Sequence, residues 1–280
     1  MTAVLLALAA GFAWGFSDFG AGAAARKLHV FVVAAISQTA GLAPAAAVVL
    51  ITARAAPSAQ QLAWAAGAGL VGVVGLSAFY RAMAVGTMGI IGPITATAAS
   101  IPVAYGLARG ERPSVLQGIG VGLAVIGVVA ASLEPLPEGR GRRKVGAGVG
   151  LALAAALAFG FALIGLSRAA AGGTAWAVLT MRLAAVPVAV VAALATRGRL
   201  PASPRLWLLL VAVGFVDTGA TLLYGSASTK GLLSVVAVLA SLYPIVIVVL
   251  ARVLLSERIA RPQLGGVALA LAGVALISAG

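Results

Sequence analysis

The stretch YPIVIVVLARVLLSERIARPQLGG at residues 243–266 decides the fold, because a related stretch, IPVAYGLARGERPSVLQGIG, occupies residues 101–120. In both, a proline in an apolar segment precedes a glutamate, and a glutamine follows that glutamate six residues later. Glu111 thereby matches Glu257, and glycines further along keep the same offset. Self-similarity over such a distance indicates that the chain consists of two related halves.

The composition indicates an integral membrane protein. Of the 280 residues, 62% are hydrophobic and 9% charged, and the mean hydropathy is +1.14, far outside the usual composition of soluble proteins. Long apolar runs such as 235–251 do not alternate with polar residues, which favours helices over a closed barrel. The sequence therefore predicts an all-α protein with ten transmembrane helices, each long enough to cross about 30 Å of hydrocarbon. The predicted spans are 3–25, 30–52, 62–82, 87–108, 114–133, 146–167, 174–196, 205–227, 231–254 and 262–279.

The halves are predicted as two five-helix repeats, residues 1–133 and 146–280, joined by a linker rich in Pro, Gly and basic residues at 134–145. Because five is odd, the second repeat enters the membrane in the opposite sense to the first. Inverted repeats of this kind are typical of transporters, whose binding site lies at the interface between the repeats.

The formal net charge of +13 does not indicate a nucleic-acid partner, because the basic residues lie mainly in short connections between spans. There they set topology and contact anionic lipid head groups. The connections on one side hold twelve Lys and Arg residues and those on the other side five, which by the positive-inside rule places both termini outside.

No catalytic constellation, metal site or cofactor motif is present, so an enzyme is not expected. The chain has no cysteine and one histidine, His29, and lacks the GxSxG, GxxxxGK[ST] and HExxH patterns. Without a nucleotide site, uphill transport would have to use an ion gradient.

Two carboxylates, Asp18 and Asp217, fall inside predicted spans. A charge near the bilayer centre costs about 2.5–3.5 kcal/mol on insertion scales, so such groups are functional candidates by default. Asp217 is the stronger candidate, since Thr221, Tyr224 and Ser228 follow it at i+4, i+7 and i+11 on one helix face. This polar stripe predicts either a cavity lining or a seam of interhelical hydrogen bonds.

Asp18 lies one turn after Trp14, and an aromatic ring beside a carboxylate suits an amphipathic amine. The ring could equally be an interfacial anchor. In the third segment, Ser77 and Tyr80 occupy the face that is repeat-related to the Asp217 stripe, and they are further cavity candidates.

Arg182 lies well inside the seventh segment, at the position that Gln38 occupies in the second. It can hold a substrate carboxylate or neutralise a buried aspartate, either Asp18 or Asp217. Prolines inside the apolar segments free carbonyls one turn earlier and can bend a gate or remain tolerated kinks. The gating candidates are Pro93, Pro102 and Pro244.

The sequence resembles an EamA-type permease of the drug/metabolite transporter superfamily along nearly its whole length. The motifs behind this resemblance are Trp14-Gly15, Tyr80 with Ala84 and Gly86, Gly92-Pro93 through Pro102 to Gly110-Glu111-Arg112-Pro113, Gln117 and Gly127, and in the second half Tyr224, Pro244, Ser256-Glu257-Arg258, Gln263-Leu264-Gly265 and Gly273.

The resemblance implies alternating access around a central cavity and export of small metabolites or drugs. The cavity would be lined mainly by the first, third and fourth segments and by the sixth, eighth and ninth. It also implies that both termini are cytoplasmic, in conflict with the charge count, so the orientation stays open.

The resulting hypothesis is a secondary transporter of the cell membrane that exports amino-acid-like, amine or drug-like compounds by proton antiport, with Asp217 or Asp18 as the coupling group. Its partners are the lipid bilayer and a small-molecule substrate, with a homodimer as one option for its assembly. The alternatives are a passive facilitator or channel-like permease and a non-transporting membrane scaffold, in which the same carboxylates serve only packing.

Overall fold

A computed structural model describes residues 1–85, 88–132, 142–255 and 261–280, and within these ranges all regular secondary structure is helical. The α-helices are α1 (Thr2–Ala25), α2 (Val30–Thr52), α3 (Ala59–Val85), α4 (Met88–Ala96), α5 (Ser100–Ala108), α6 (Val115–Ser132), α7 (Arg142–Ala170), α8 (Thr174–Ala195), α9 (Pro204–Ser228), α10 (Leu233–Ala240), α11 (Tyr243–Leu255) and α12 (Arg261–Ala279). A single 3-10 turn, Thr97–Ala99, separates α4 from α5.

The helices account for the ten predicted spans, eight as single helices and two as broken pairs. Within the described ranges, six helices are long and apolar enough to cross a membrane, namely α1, α2, α3, α7, α8 and α9, and four shorter apolar stretches lie in the remaining spans. The all-helical membrane class predicted from the sequence is thus confirmed.

Prolines explain where the fourth and ninth spans break. Pro102 has no N–H to donate to Ala98, which lies in the 3-10 turn, and Pro244 has none to donate to Ala240, the last residue of α10. The gating candidates Pro102 and Pro244 thus each lie four residues after a break. Pro93 lies within the continuous helix α4.

The packing relates the two repeats as a pseudo-symmetric pair. By position in the repeat, α1 is equivalent to α7, α2 to α8 and α3 to α9. Helix α3 packs on α7 as α1 packs on α9, and α2 contacts α9 as α8 contacts α3. Helices α2 and α8 pack on each other, as do the repeat-related helices α6 and α12. The interface between the repeats therefore runs through the centre of the bundle.

A glycine allows α1 to approach the break of the ninth span. A Cβ built on Gly11 would lie 2.6 Å from the carbonyl oxygen of Ala240, the carbonyl that Pro244 leaves without its helical partner. Real Cβ atoms do not approach backbone oxygen this closely, so glycine is required at this crossing. Gly11 in α1 thus serves helix packing.

Glu111, in the loop after α5, joins the first repeat to the second. Its carboxylate accepts hydrogen bonds from the backbone N–H groups of Leu233 (2.8 Å) and Ser234 (3.0 Å) at the start of α10. The first N–H groups of a helix have no partner within the helix, and the helix dipole favours a negative charge there. The repeat-related Glu257, with Ser256 and Arg258, lies outside the described residues.

Candidate functional site

A cavity of about 140 Å³ lies at the centre of the bundle, between the two repeats. It is lined by residues of α1–α4 and the 3-10 turn from the first repeat, and of α7–α11 from the second. The second and seventh spans thus contribute as well as the six spans that the family resemblance implied. The lining residues are Trp14, Asp18, Gln38, Gly69, Gly72, Val73, Leu76, Thr95, Ala98, Phe159, Ala162, Leu163, Leu166, Met181, Arg182, Ala185, Asp217, Thr221, Ala240, Ser241 and Tyr243.

Arg182 is the centre of a hydrogen-bond network on one wall of this cavity. Its Nη2 lies 2.7 Å from Oδ2 of Asp217 in an ion pair, and the same nitrogen donates to the hydroxyl of Thr221 at 3.3 Å. Its Nη1 donates to Oε1 of Gln38 in α2. Of the two ion-pair alternatives for Arg182, the structure contains the pair with Asp217, and the repeat-related Gln38 also binds the guanidinium.

The pair is well shielded, since the side chains of Arg182 and Asp217 are only 6% and 16% exposed. Thr221 also donates to the backbone carbonyl of Asp217 at 2.7 Å, which orients its hydroxyl oxygen toward the guanidinium. The arrangement is neutral overall, so the charge of Asp217 is compensated.

Asp18 lies in the same cavity without such compensation. The residue is 9% exposed, and within the described part of the chain its carboxylate has no hydrogen-bond or ion-pair partner. Asp217 is near enough to interact with it electrostatically, as are the hydroxyls of Tyr80 and Tyr243. A buried charge without a partner is costly in a membrane protein, and such groups usually mark a transport pathway.

Aromatic side chains form much of the remaining wall. Trp14 and Phe159, which occupy matching positions in the two repeats, both line the cavity, as does Tyr243. The hydroxyl of Tyr243 donates to Thr95 at 2.7 Å, and that threonine donates in turn to carbonyls of its own helix. The wall therefore presents rings to the cavity while its buried hydroxyls are satisfied.

Six of the predicted site residues line the cavity: Trp14, Asp18, Gln38, Arg182, Asp217 and Thr221. Two tyrosines lie behind its wall. Tyr224 is fully buried and packs on Trp14 with ring centroids 5.6 Å apart, and Tyr80 is 2% exposed in a core cluster beside Phe79.

The two predicted serines have other surroundings. Ser77 donates to the carbonyl of Val73 in its own helix. Ser228 donates to Gly225 and lines a separate, polar pocket of about 550 Å³ at the end of the bundle where α3 begins and α7 and α9 end. That pocket is lined by Ser58, Gln60, Gln61, Trp64, Ser167, Arg168, Ala171, Ser228 and Thr229.

Sequence reasoning did not select Thr95, Phe159 or Tyr243. Two of the three had a sequence signal, because Phe159 matches Trp14 in the repeat and Tyr243 directly precedes the break-forming Pro244. Within the described residues, no group of three or more His, Cys, Asp or Glu side chains is arranged to hold a metal ion.

The fold and the site together define a class of protein: a two-repeat helical membrane transporter with a central cavity. The model of the EamA-like transporter family matches residues 1–133 and again residues 146–279. The chain therefore belongs to the EamA-like transporter family, whose members are membrane transporters of the drug/metabolite superfamily rather than enzymes.

A solved crystal structure of a protein matches with a TM-score of 0.78 at 18% sequence identity, over 99% of this chain and 97% of the other. At that identity the similarity supports the fold alone. No curated protein matches the sequence.

Proposed function

We propose that this protein is a proton-coupled secondary transporter of the cell membrane that exports small amphipathic metabolites through its central cavity. The observation behind the proposal is the carboxylate of Asp18, which is buried in that cavity without a partner in the described chain. A group of this kind can bind either a proton or a cationic group of the substrate, and each excludes the other. Such competition is the minimal requirement for antiport.

Asp18 suits the coupling role better than Asp217, which the sequence favoured. Asp217 is tied to Arg182 at 2.7 Å, and protonating it would leave a buried guanidinium without its counter-charge. Protonation of Asp18 removes an uncompensated charge instead. We therefore assign proton binding to Asp18, with Arg182 and Asp217 as the neutral wall beside it.

The architecture supports alternating access. The cavity lies between two repeats of five spans, and an odd number of spans gives the second repeat the opposite sense in the membrane. Two of the spans beside the cavity break about one turn before a proline, at Thr97–Ala99 and after Ala240. Such breaks give the spans positions at which to bend when one side closes and the other opens.

Flux measurements in proteoliposomes test the proposal. The protein is reconstituted, and a panel of amines, amino acids and small drugs is assayed with and without an imposed pH gradient. We expect at least one compound to accumulate against its concentration gradient when the pH gradient is imposed. Because asparagine cannot release a proton, Asp18→Asn should abolish this accumulation and retain downhill exchange.

Asp217→Asn is the matched control, because it removes the other cavity carboxylate. We expect it to lower stability, since Arg182 loses its counter-charge, while the dependence on the pH gradient remains. If Asp217→Asn and not Asp18→Asn abolishes uphill accumulation, the coupling role belongs to Asp217. Flux in the wild type that ignores the gradient would indicate a passive facilitator.

A further inference from the structure

The charged groups that line the central cavity do not balance. Among the described lining residues these are Asp18, Asp217 and Arg182. The guanidinium and Asp217 neutralise each other in their ion pair, so the cavity has a net charge of −1 when Asp18 is ionised and no net charge when Asp18 is protonated. A low-dielectric site with one uncompensated negative charge favours a ligand with one positive charge.

Arg182 is not available to bind a substrate carboxylate in the bidentate manner. Its Nη1 is bonded to Gln38 and its Nη2 to Asp217 and Thr221. Its Nε faces Gly41 of α2, where a built Cβ would lie 3.4 Å from it. A carboxylate could bind the guanidinium in the bidentate manner only by displacing Asp217, which would then be buried without a partner.

The walls set the shape of the rest of the ligand. A dry cavity of about 150 Å³ in another protein accommodates benzene, and this cavity measures about 140 Å³. Trp14 lies one helical turn before Asp18, so its ring can contact the apolar body or the face of a cation held by the carboxylate. Phe159 and Tyr243 add further aromatic surface.

From this charge balance we propose that the substrate is a compact organic amine with a single positive charge and no carboxylate, whose ammonium group pairs with Asp18. The inference rests on the proposed function and narrows its substrate class from amino acids, amines and drugs to amines alone. Each transport cycle exchanges one proton for one monocation at the same carboxylate. The exchange is therefore electroneutral.

The groups that face Asp18 are compatible with such a competition. On α9 the facing titratable group is Asp217, on α3 it is Tyr80, and on α11 it is Tyr243. Arg182 of α8 is held by Asp217, and α10 has no charged side chain. An arriving ammonium therefore meets the carboxylates of Asp18 and Asp217 and the ring of Tyr243, while Arg182, the cation among the described lining residues, is already paired.

Binding to the purified full-length protein in detergent tests the inference by calorimetry, which avoids passive leakage of amines across a bilayer. Three compounds with the same ring are compared: benzylamine, phenylglycine, which adds a carboxylate to the same skeleton, and phenylacetate, which has only the carboxylate. We expect benzylamine to bind at least about 10-fold more tightly than either of the others, a difference of about 1.4 kcal/mol. Because the amine competes with a proton, its affinity should fall as the pH is lowered, by up to about 10-fold per pH unit.

Two variants of Asp18 distinguish binding of the ammonium group from a purely structural role of this residue. Asp18→Glu retains the carboxylate and should retain amine binding and its pH dependence. Asp18→Asn keeps only the aromatic contacts, so it should bind the amine at least about 10-fold more weakly and without the pH dependence, while melting at a similar temperature. Equal or tighter binding of phenylglycine, equal binding of benzylamine by Asp18→Asn, or no binding of any of the three compounds overturns the inference. Gradient-driven flux of other compounds in proteoliposomes would in each of these cases leave the proposed transport function standing.

Discussion

Removal of the Arg182 guanidinium should destabilise the protein by an amount that can be derived from its contacts. In Arg182→Met, Asp217 keeps its charge in a position where its side chain is 16% exposed, and Gln38 and Thr221 each lose a donor. Removing one partner of a buried ion pair destabilises a protein by about 3–5 kcal/mol. In a chain of this size each kcal/mol of lost stability lowers the melting temperature by roughly 2–4 °C, so the melting temperature of Arg182→Met should fall by roughly 6–20 °C.

The double variant Arg182→Met, Asp217→Leu distinguishes loss of the ion pair from loss of packing. Because no unpaired charge remains, it should recover at least about 2 kcal/mol relative to Arg182→Met alone. Arg26→Met, at an exposed arginine just after α1, is the matched control and should change stability by less than about 0.5 kcal/mol.

Thermal unfolding of the four purified proteins in one detergent, followed by circular dichroism, provides the measurement. If Arg182→Met unfolds at the same temperature as Arg26→Met, the ion pair does not stabilise the bundle. If the double variant is less stable than Arg182→Met, the destabilisation does not arise from an uncompensated Asp217.

Three further predictions concern packing and the link between the repeats. Gly11→Ala should lower the free energy of unfolding by about 1–3 kcal/mol, because its methyl group would lie 2.6 Å from the carbonyl oxygen of Ala240. The control Gly67→Ala has open space around its Cβ and should be neutral or slightly stabilising, so equal melting temperatures of the two variants would refute the close approach. Glu111→Ala leaves two N–H groups at the start of α10 without their acceptor and should lower the free energy of unfolding by about 0.5–2 kcal/mol, with a smaller loss for Glu111→Gln. Hydrogen exchange at the start of α10 should become faster, and unchanged exchange would show that Glu111 does not cap this helix. The fully buried hydroxyl of Tyr224 has no hydrogen-bond partner among the described residues, so Tyr224→Phe should leave the melting temperature unchanged or raise it. A clear decrease would show that the hydroxyl is satisfied.

The helical spans could be predicted well from the sequence because their apolar length is a local property. The span predicted at 30–52 is the helix Val30–Thr52, and that predicted at 114–133 is Val115–Ser132. The break in the ninth span could not be placed to the residue from Pro244 alone, since a proline inside an apolar segment can also be tolerated within a helix, as Pro187 is within α8.

The cavity was predictable in part. Asp217, Thr221, Tyr224 and Ser228 share one face of α9, as predicted, but they extend over about 16 Å of helix at 1.5 Å per residue. The central cavity reaches only the first two, because Trp14 covers Tyr224 and Ser228 lies at the end of the helix. A periodic pattern specifies the face of a helix, whereas the neighbour at each level depends on packing between distant segments.

The choice of partner for Arg182 was open for the same reason. Both Asp18 and Asp217 were candidates, and their distances from Arg182 depend on how α1, α8 and α9 are rotated against each other. The rotation of α1 depends on close approaches such as that of Gly11 to Ala240, which involve backbone atoms of the other repeat. It follows that the unpaired state of Asp18 could not be derived from the sequence.

The central claim is that Asp18 exchanges a proton for the substrate within the cavity between the repeats. It is tested most directly by measuring accumulation of an exported compound in proteoliposomes under an imposed pH gradient, for the wild type and for Asp18→Asn. We predict gradient-driven accumulation by the wild type and only downhill exchange by the variant. Uphill accumulation by Asp18→Asn at the wild-type level would contradict the claim.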